Sequence, residues 1–218
     1  MLLAITLVSL LTGTTNTFVS LSPMVDDHMV KEPIIITISG PINENAADLF
    51  DKDINHAVKT GQPIIPIIVN SYGGNVHSVL QMMDAIDKVK NMKIKVATIC
   101  IGKCMSAGAA LLTCGSEGMR FAGPNATIMI HEVSSMTGGK IGDIKVDADE
   151  SDRLNKILLE TMSQNIGKDK GYLSGIIFSK GRSDWYLSPK DAIEHGVINH
   201  ISVPDLKIKI SVDVSLEL

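Results

Sequence analysis

Three residues of this 218-residue chain have the chemistry of a nucleophile, a base and an orienting acid: Ser106, His131 and Asp184, in that order. A serine hydroxyl is a poor nucleophile until a base of near-neutral pKa takes its proton, and histidine, at roughly 6.5, suits that task. A carboxylate on the other imidazole nitrogen would fix the tautomer and stabilise the imidazolium, and triads on unrelated folds use different chain orders. Each residue also has an ordinary reading. A serine at a helix start is commonly an N-cap, His131 closes the apolar run Ile128-Met129-Ile130, and Asp184 follows Gly181-Arg182-Ser183 as a solvated loop acid would. Their joint placement favours chemistry.

Two small-residue stretches, Ser71-Tyr72-Gly73-Gly74-Asn75 and Gly102-Lys103-Cys104-Met105, read as consecutive strand-to-helix turns. Such turns expose backbone N–H groups at the start of a helix. If the strands are neighbours, Gly74 and Ala107 supply a two-donor oxyanion hole. Gly73, Asn75 and Val133 beside them are the candidate substrate-binding positions. Neither turn has the Gly-Lys-Ser/Thr of a phosphate loop or the G-x-G-x-x-G of a dinucleotide fold. A nucleophile elbow of the hydrolase type would need glycine two residues before Ser106, where Cys104 stands. Cys104 as nucleophile would need an electropositive, accessible setting, and only Lys103 offers charge nearby.

The elements that must position these residues are short β-branched runs alternating with helical periodicity, an α/β pattern. Ile34 to Ile38 is an expected strand, followed by a helix from Asn45 with Ala46, Leu49, Phe50, Ile54, Ala57 and Val58 on one face. Ile64 to Val69 and the helix Val76 to Val89 repeat the unit, and Lys95 to Ile101 with the helix Ser106 to Cys114 repeat it again. Thr127 to Ile130 is a further strand. A long helix is expected from about Asp147 to Gly167, its stripe running through Ile144, Val146, Leu154, Ile157, Leu158, Met162 and Ile166. Ser188 caps a helix with Pro189 in its first turn, and Val197 to Val203 is a last strand.

A charge of -4, with 20 Lys+Arg against 24 Asp+Glu, and 44% hydrophobic residues describe one ordinary globular domain with no basic footprint for nucleic acid. Cys100, Cys104 and Cys114 form no paired spacing, which points to a reducing compartment rather than a disulfide framework. Residues 1–30 are expected to be an extension, flexible or processed. Its apolar run Leu2 to Leu11 is too short and too broken for a membrane span and lacks the leading Lys or Arg of a signal peptide.

Four stretches then agree with one family. Ile68-Val69-Asn70-Ser71-Tyr72-Gly73-Gly74, Cys104-Met105-Ser106-Ala107-Gly108-Ala109, Arg120-Phe121-Ala122-Gly123-Pro124-Asn125 with Met129-Ile130-His131, and Asp184-Trp185-Tyr186-Leu187-Ser188-Pro189-Lys190-Asp191-Ala192 with Glu194-His195-Gly196-Val197-Ile198 resemble the successive motifs of the Clp protease proteolytic subunit. The resemblance spans roughly Lys31 to Ser202. It implies a crotonase-like superhelical α/β fold of repeated strand-turn-helix units over 31–203, with a projecting helical handle at about 134–168 and a tail over 204–218. It further implies a serine endopeptidase with Ser106 as nucleophile, His131 as base and Asp184 as acid, and with Gly74 and Ala107 at the oxyanion hole. No cofactor and no metal are implied. The implied partners are unfolded polypeptide substrates, sister subunits in two stacked heptameric rings and an ATP-driven unfoldase, in the cytoplasm, with no membrane or nucleic acid. The stripe through Leu154, Ile157, Leu158, Met162 and Ile166 is expected to be covered by a handle of the second ring. Ala107 stands where methionine is common in the family, Tyr72 where proline is usual, Glu132-Val133 replace the usual pair after the histidine, and Asp184 arrives a few residues late. The competing readings are a crotonase-like acyl-CoA enzyme, which also uses two backbone N–H donors but needs no Ser–His pair, and an inert subunit of a mixed ring.

Overall fold

The apolar runs become strands because β-branched residues fit a pleated, buried surface, and the periodic segments between them become helices that cover it. The computed structural model describes residues 33–205. The extension expected over 1–30, and all but the first two residues of the tail expected over 204–218, lie outside them. Among the described residues β1 (Ile36–Ser39), α1 (Glu44–Lys59), β2 (Ile64–Ser71), α2 (Val76–Asn91), β3 (Lys95–Met105) and α3 (Ala107–Thr113) form the successive strand-helix units. The chain continues through β4 (Arg120–Ala122), β5 (Thr127–Ile130), α4 (Ile141–Asn165), α5 (Tyr172–Ser179), β6 (Trp185–Leu187), α6 (Pro189–Glu194) and β7 (His200–Ile201). The strands run β1-β2-β3-β4-β7 in parallel, and β5 leaves that path by pairing in parallel with β3 and antiparallel with β6. This is the mixed α/β architecture, with a largely parallel sheet, that the repeated units imply.

The branch in the sheet comes from β3. Its residues Thr98 to Cys100 pair with β4, while Lys103 to Met105 pair with β5. Between the partners Val69↔Cys100 and Ser71↔Cys104 the chain of β3 advances farther than that of β2, so Ile101 and Gly102 form a bulge that re-aims the strand. Gly102 to Met105 is therefore strand and not the expected turn, because a second neighbour exists to pair with it.

Three other expectations change. α1 buries Ala47, Phe50, Ile54 and Ala57, and Leu49 is exposed. Asn43, whose side chain accepts from the Ala46 N–H, starts the helix earlier than Asn45. Only His200 and Ile201 of the stretch Val197 to Val203 pair with the sheet. Val197 and Ile198 instead fold back on the end of α6, both N–H groups donating to the Ala192 carbonyl. α5 carries no side-chain cap and has Gly175 in its interior, so it lacks the usual sequence marks of a helix.

α4 begins at Ile141, before Asp147, and its two halves differ. Leu154, Leu158, Leu159, Met162 and the following Ile166 are buried in the subunit's own core, so the stripe expected to await a partner handle is covered for most of its length. The most exposed apolar side chains lie in its first half, at Ile141 (77% exposed), Val146 (67%) and Ile144 (38%), with Met136 just before it, while Ile157 (36%) is the exposed member of the second half. The end of α4 is fixed by Arg120. This guanidinium is buried and donates to the carbonyls of Asn165, Gly115, Gly196 and Val197 at 3.1 to 3.3 Å. Burial pulls its pKa down, opposed by the charge of Glu117.

Candidate active site

Ser106 sits at the junction of β3 and α3 with φ 53° and ψ -122°, a sparsely populated conformation for a residue with a side chain. Backbone bonds hold it there. Its N–H donates to the Met129 carbonyl at 2.8 Å, and its own carbonyl accepts from Ala109 and Ala110 at 2.9 and 3.1 Å. The strained turn aims the hydroxyl away from the helix, so Ser106 makes no side-chain cap to α3. Its Oγ lies 2.7 Å from Nε2 of His131. The N-cap reading of Ser106 therefore does not hold, and its hydroxyl is paired with the imidazole.

Strand register delivers the two partners. In the parallel pair of β3 and β5, Met105 is opposite Met129, so the chain leaves β3 at Ser106 just as β5 approaches His131. In the antiparallel pair of β5 and β6, Ile130 is opposite Trp185. One further step in that register sets His131 across from Asp184. Its Oδ1 stands 3.5 Å from Nδ1 of His131, and the side chain is half exposed. The end of the ladder leaves this carboxylate open to solvent.

Gly73 and Gly74 meet this turn from β2. A Cβ on Gly73 would fall 2.7 Å from Ser106 Cβ and 2.8 Å from the Met105 carbonyl oxygen, and one on Gly74 would fall 2.1 Å from the Ile42 carbonyl oxygen. Both have positive φ, 105° and 156°. Only glycine lets the two backbones approach so closely. Ser71 supports the approach from below: its Oγ donates to the Gly40 carbonyl at 2.5 Å and accepts from the Gly73 N–H at 3.0 Å. Ile42 and Asn75 complete the loop, with the Ile42 N–H donating to Gly73 O and the Asn75 N–H to Ile42 O. Among the described residues, the N–H groups of Gly74 and Ala107 donate to no protein acceptor. Both residues border the same cleft as Ser106.

That cleft, about 190 Å³, is lined by Gly74, Ser106, Ala107 and His131 on its polar side and by Val79, Ile130, Leu158 and Met162 among its apolar walls. Of the expected substrate-binding residues, Asn75 and Val133 line it as well. The Asn75 side chain is also the cap of α2, accepting from the Ser78 N–H at 3.0 Å. Gly73 lies beneath the Ser106 turn, where it serves the approach of the two backbones. Leu158 and Met162, which the resemblance implies are covered by a handle of the second ring, instead line this cleft. Their place on the cleft wall could not be read from helical periodicity, which says that a face is apolar without saying what it meets.

Other nucleophilic and acidic side chains near the site are outside the constellation. Cys104 is fully buried, its Sγ pointing at the Val69 carbonyl at 3.5 Å, and burial pushes its thiol well up. Cys114 is likewise pushed up, to about 12, chiefly by burial. Neither thiol has the setting of a thiolate nucleophile. Asp191 closes a capping box with Ser188, its carboxylate accepting from the Ser188 hydroxyl and N–H at 2.7 and 2.9 Å. Those bonds hold its pKa below the ordinary carboxylate value. The stability it supplies is present at neutral pH and lost as pH falls through that lowered value.

A family model described as Clp protease matches residues 24–205, and this span contains all the residues above. The close approach beneath the Ser106 turn yields a prediction. Gly73→Ala should reduce peptide hydrolysis by at least about a hundredfold while the protein still folds, because the new methyl displaces Ser106 and the Ala107 amide together. Peptide cleavage and circular dichroism on the purified variant check it, and near-normal cleavage would contradict the packing argument.

Proposed function

Because the chain belongs to the Clp protease family, a family of peptidases, we propose that it is a serine endopeptidase acting on unfolded polypeptides, with Ser106, His131 and Asp184 as its triad. The observation that carries this reading is the 2.7 Å contact between Ser106 Oγ and His131 Nε2, made by a hydroxyl turned away from its own helix.

The chemistry follows from the geometry. The neutral imidazole presents its unprotonated Nε2 to the Ser106 hydroxyl, with the Nδ1–H directed at Asp184. As Oγ attacks the scissile carbonyl carbon, its proton passes to Nε2, and the carbonyl oxygen takes the negative charge. The free N–H groups of Gly74 and Ala107 receive that oxygen. Collapse of the tetrahedral species breaks the C–N bond, and the proton on Nε2 goes to the departing amine. Water then enters, loses a proton to His131 and bonds to the acyl carbon; the ester bond to Ser106 breaks, the carboxyl product leaves and His131 returns the proton to Oγ. Asp184 holds the tautomer and offsets the imidazolium charge, and at 3.5 Å it has room to close on the ring when that charge forms. The apolar wall of Val79, Ile130, Leu158 and Met162 suits an apolar substrate side chain next to the scissile bond. A crotonase-like acyl-CoA enzyme would use the two amides but would give the Ser106–His131 pair no task, and an inert ring subunit would need neither.

An open site of this kind would cut any exposed loop, so the reading includes a barrier: two stacked heptameric rings enclosing the sites, fed by an ATP-driven unfoldase in the cytoplasm. The exposed Ile141, Ile144 and Val146 on the first half of α4 supply the apolar surface for ring stacking. Among the described residues no helix is long and apolar enough to cross a membrane.

Three outcomes are expected. Ser106→Ala should lower peptide cleavage by several orders of magnitude with folding intact, and a fluorophosphonate should label Ser106 in the unaltered protein. Cleavage by the variant at the normal rate would end the reading. Asp184→Asn should cost about three to four orders of magnitude in turnover through the wrong histidine tautomer, whereas Asp191→Asn should keep turnover and weaken only the α6 cap. Steady-state rates and thermal unfolding of the two variants distinguish these assignments. Placing Asp at both Ile141 and Val146 should halve the mass measured by light scattering and leave the subunit's melting temperature nearly unchanged, since neither side chain is in the core. A full-mass particle would show that this face is not the ring contact.

A further inference from the structure

His131 and Asp184 both stand just past the end of a backbone ladder. The last β5–β6 pair is Ile130↔Trp185, so no strand hydrogen bond sets their separation. The next polar link between the same two segments is an ion pair, Arg182 Nη1 to Glu132 Oε1 at 3.3 Å. Glu132 directly follows His131, and Arg182 precedes Asp184 by two residues. We infer that the Glu132–Arg182 pair is a latch that holds the segment bearing Asp184 against the segment bearing His131; the inference rests on the peptidase reading above.

Each half of the latch is itself anchored. Arg182 has φ 60°, a left-handed conformation unusual for a residue with a side chain, and its N–H donates to the Ile177 carbonyl at the end of α5 at 2.9 Å. Its guanidinium also lies over the ring of Phe178, 5.7 Å from the centroid. On the other side the Val133 N–H donates to Asn155 Oδ1 of α4 at 3.0 Å. Glu132 thus sits between His131 and an anchor on α4, and Arg182 between an anchor on α5 and Asp184. The pair closes the gap that the ladder leaves open. Glu132 also borders the substrate cleft, so its partner neutralises a carboxylate that would otherwise stand unpaired beside the imidazole. These are positioning residues: neither touches the reacting atoms.

The pair is half exposed, so its effect is bounded by what partly solvated ion pairs do. In the full-length assembled protein, Glu132→Gln and Arg182→Gln should each lower kcat on a short fluorogenic peptide by roughly two- to fivefold with KM unchanged. The double variant should be no slower than the slower single, because both changes remove the same contact. Raising the ionic strength should lower the kcat of the unaltered protein toward that of the double variant and leave the double variant itself unmoved. Arg182→Lys should retain most of the activity, and together with Glu132→Gln it keeps the test valid if Arg182→Gln does not fold. Losses that multiply in the double variant, an effect on KM alone, or kcat unchanged in both singles would overturn the latch. Fluorophosphonate labelling and Ser106→Ala on the same preparations separate the two claims. An unlabelled protein whose Ser106→Ala form cleaves normally breaks the peptidase reading, whereas a labelled protein with indifferent Glu132 and Arg182 variants breaks the latch alone.

Discussion

The site depends on one close approach, that of the Gly73-Gly74 loop to the turn at Ser106. With no side chain on either glycine, the loop after β2 comes within van der Waals reach of Met105, Ser106 and Ala107, and a methyl on Gly73 would overlap Ser106 Cβ. That contact does two things at once. It backs the Ser106 turn, and it brings the Gly74 and Ala107 amides to one side of the same cleft. Ser71, fully buried and bonded on both sides to backbone, fixes the height of the loop.

The cost of the arrangement is concentrated at Ser106, whose backbone conformation is of the kind that carries on the order of 1–3 kcal/mol of strain. A buried scaffold offsets it. α3 is buried along its whole length, and β3 has paired neighbours on both sides. Arg120 adds a second constraint at a distance. By gathering carbonyls from the ends of α4 and α6, it fixes α4, which lends Leu158 and Met162 to the cleft. The wall of the site and the far end of the sheet are therefore parts of one packed unit.

Rigidity falls off toward the carboxylate. Ser106 is tied to β5 by its N–H bond to the Met129 carbonyl, whereas His131 and Asp184 each lie one residue beyond a ladder and Asp184 is open to solvent. Side-chain links such as that between Glu132 and Arg182 take over where backbone bonds stop. They are weaker and salt-sensitive, so this edge of the site is the part most open to adjustment.

Much of this was legible in the residues. Alternating β-branched and periodic segments determine the α/β class and Ser188 determines a capped helix, because these follow from local chemistry and side-chain period; Ser106, His131 and Asp184 offer the residue types of a nucleophile, a base and an acid but not their meeting. What lay beyond the sequence was every relation between distant segments. Gly102 to Met105 looked like a turn and is strand, since a second neighbour in β5 pairs with it. Leu158 and Met162 looked like a subunit contact and line the cleft, since periodicity marks an apolar face and not its partner. The serine's own role as cap or nucleophile was undecidable locally. The tertiary structure decided where its hydroxyl points, away from its own helix, because the register of β3 against β5 puts an imidazole within 2.7 Å of it.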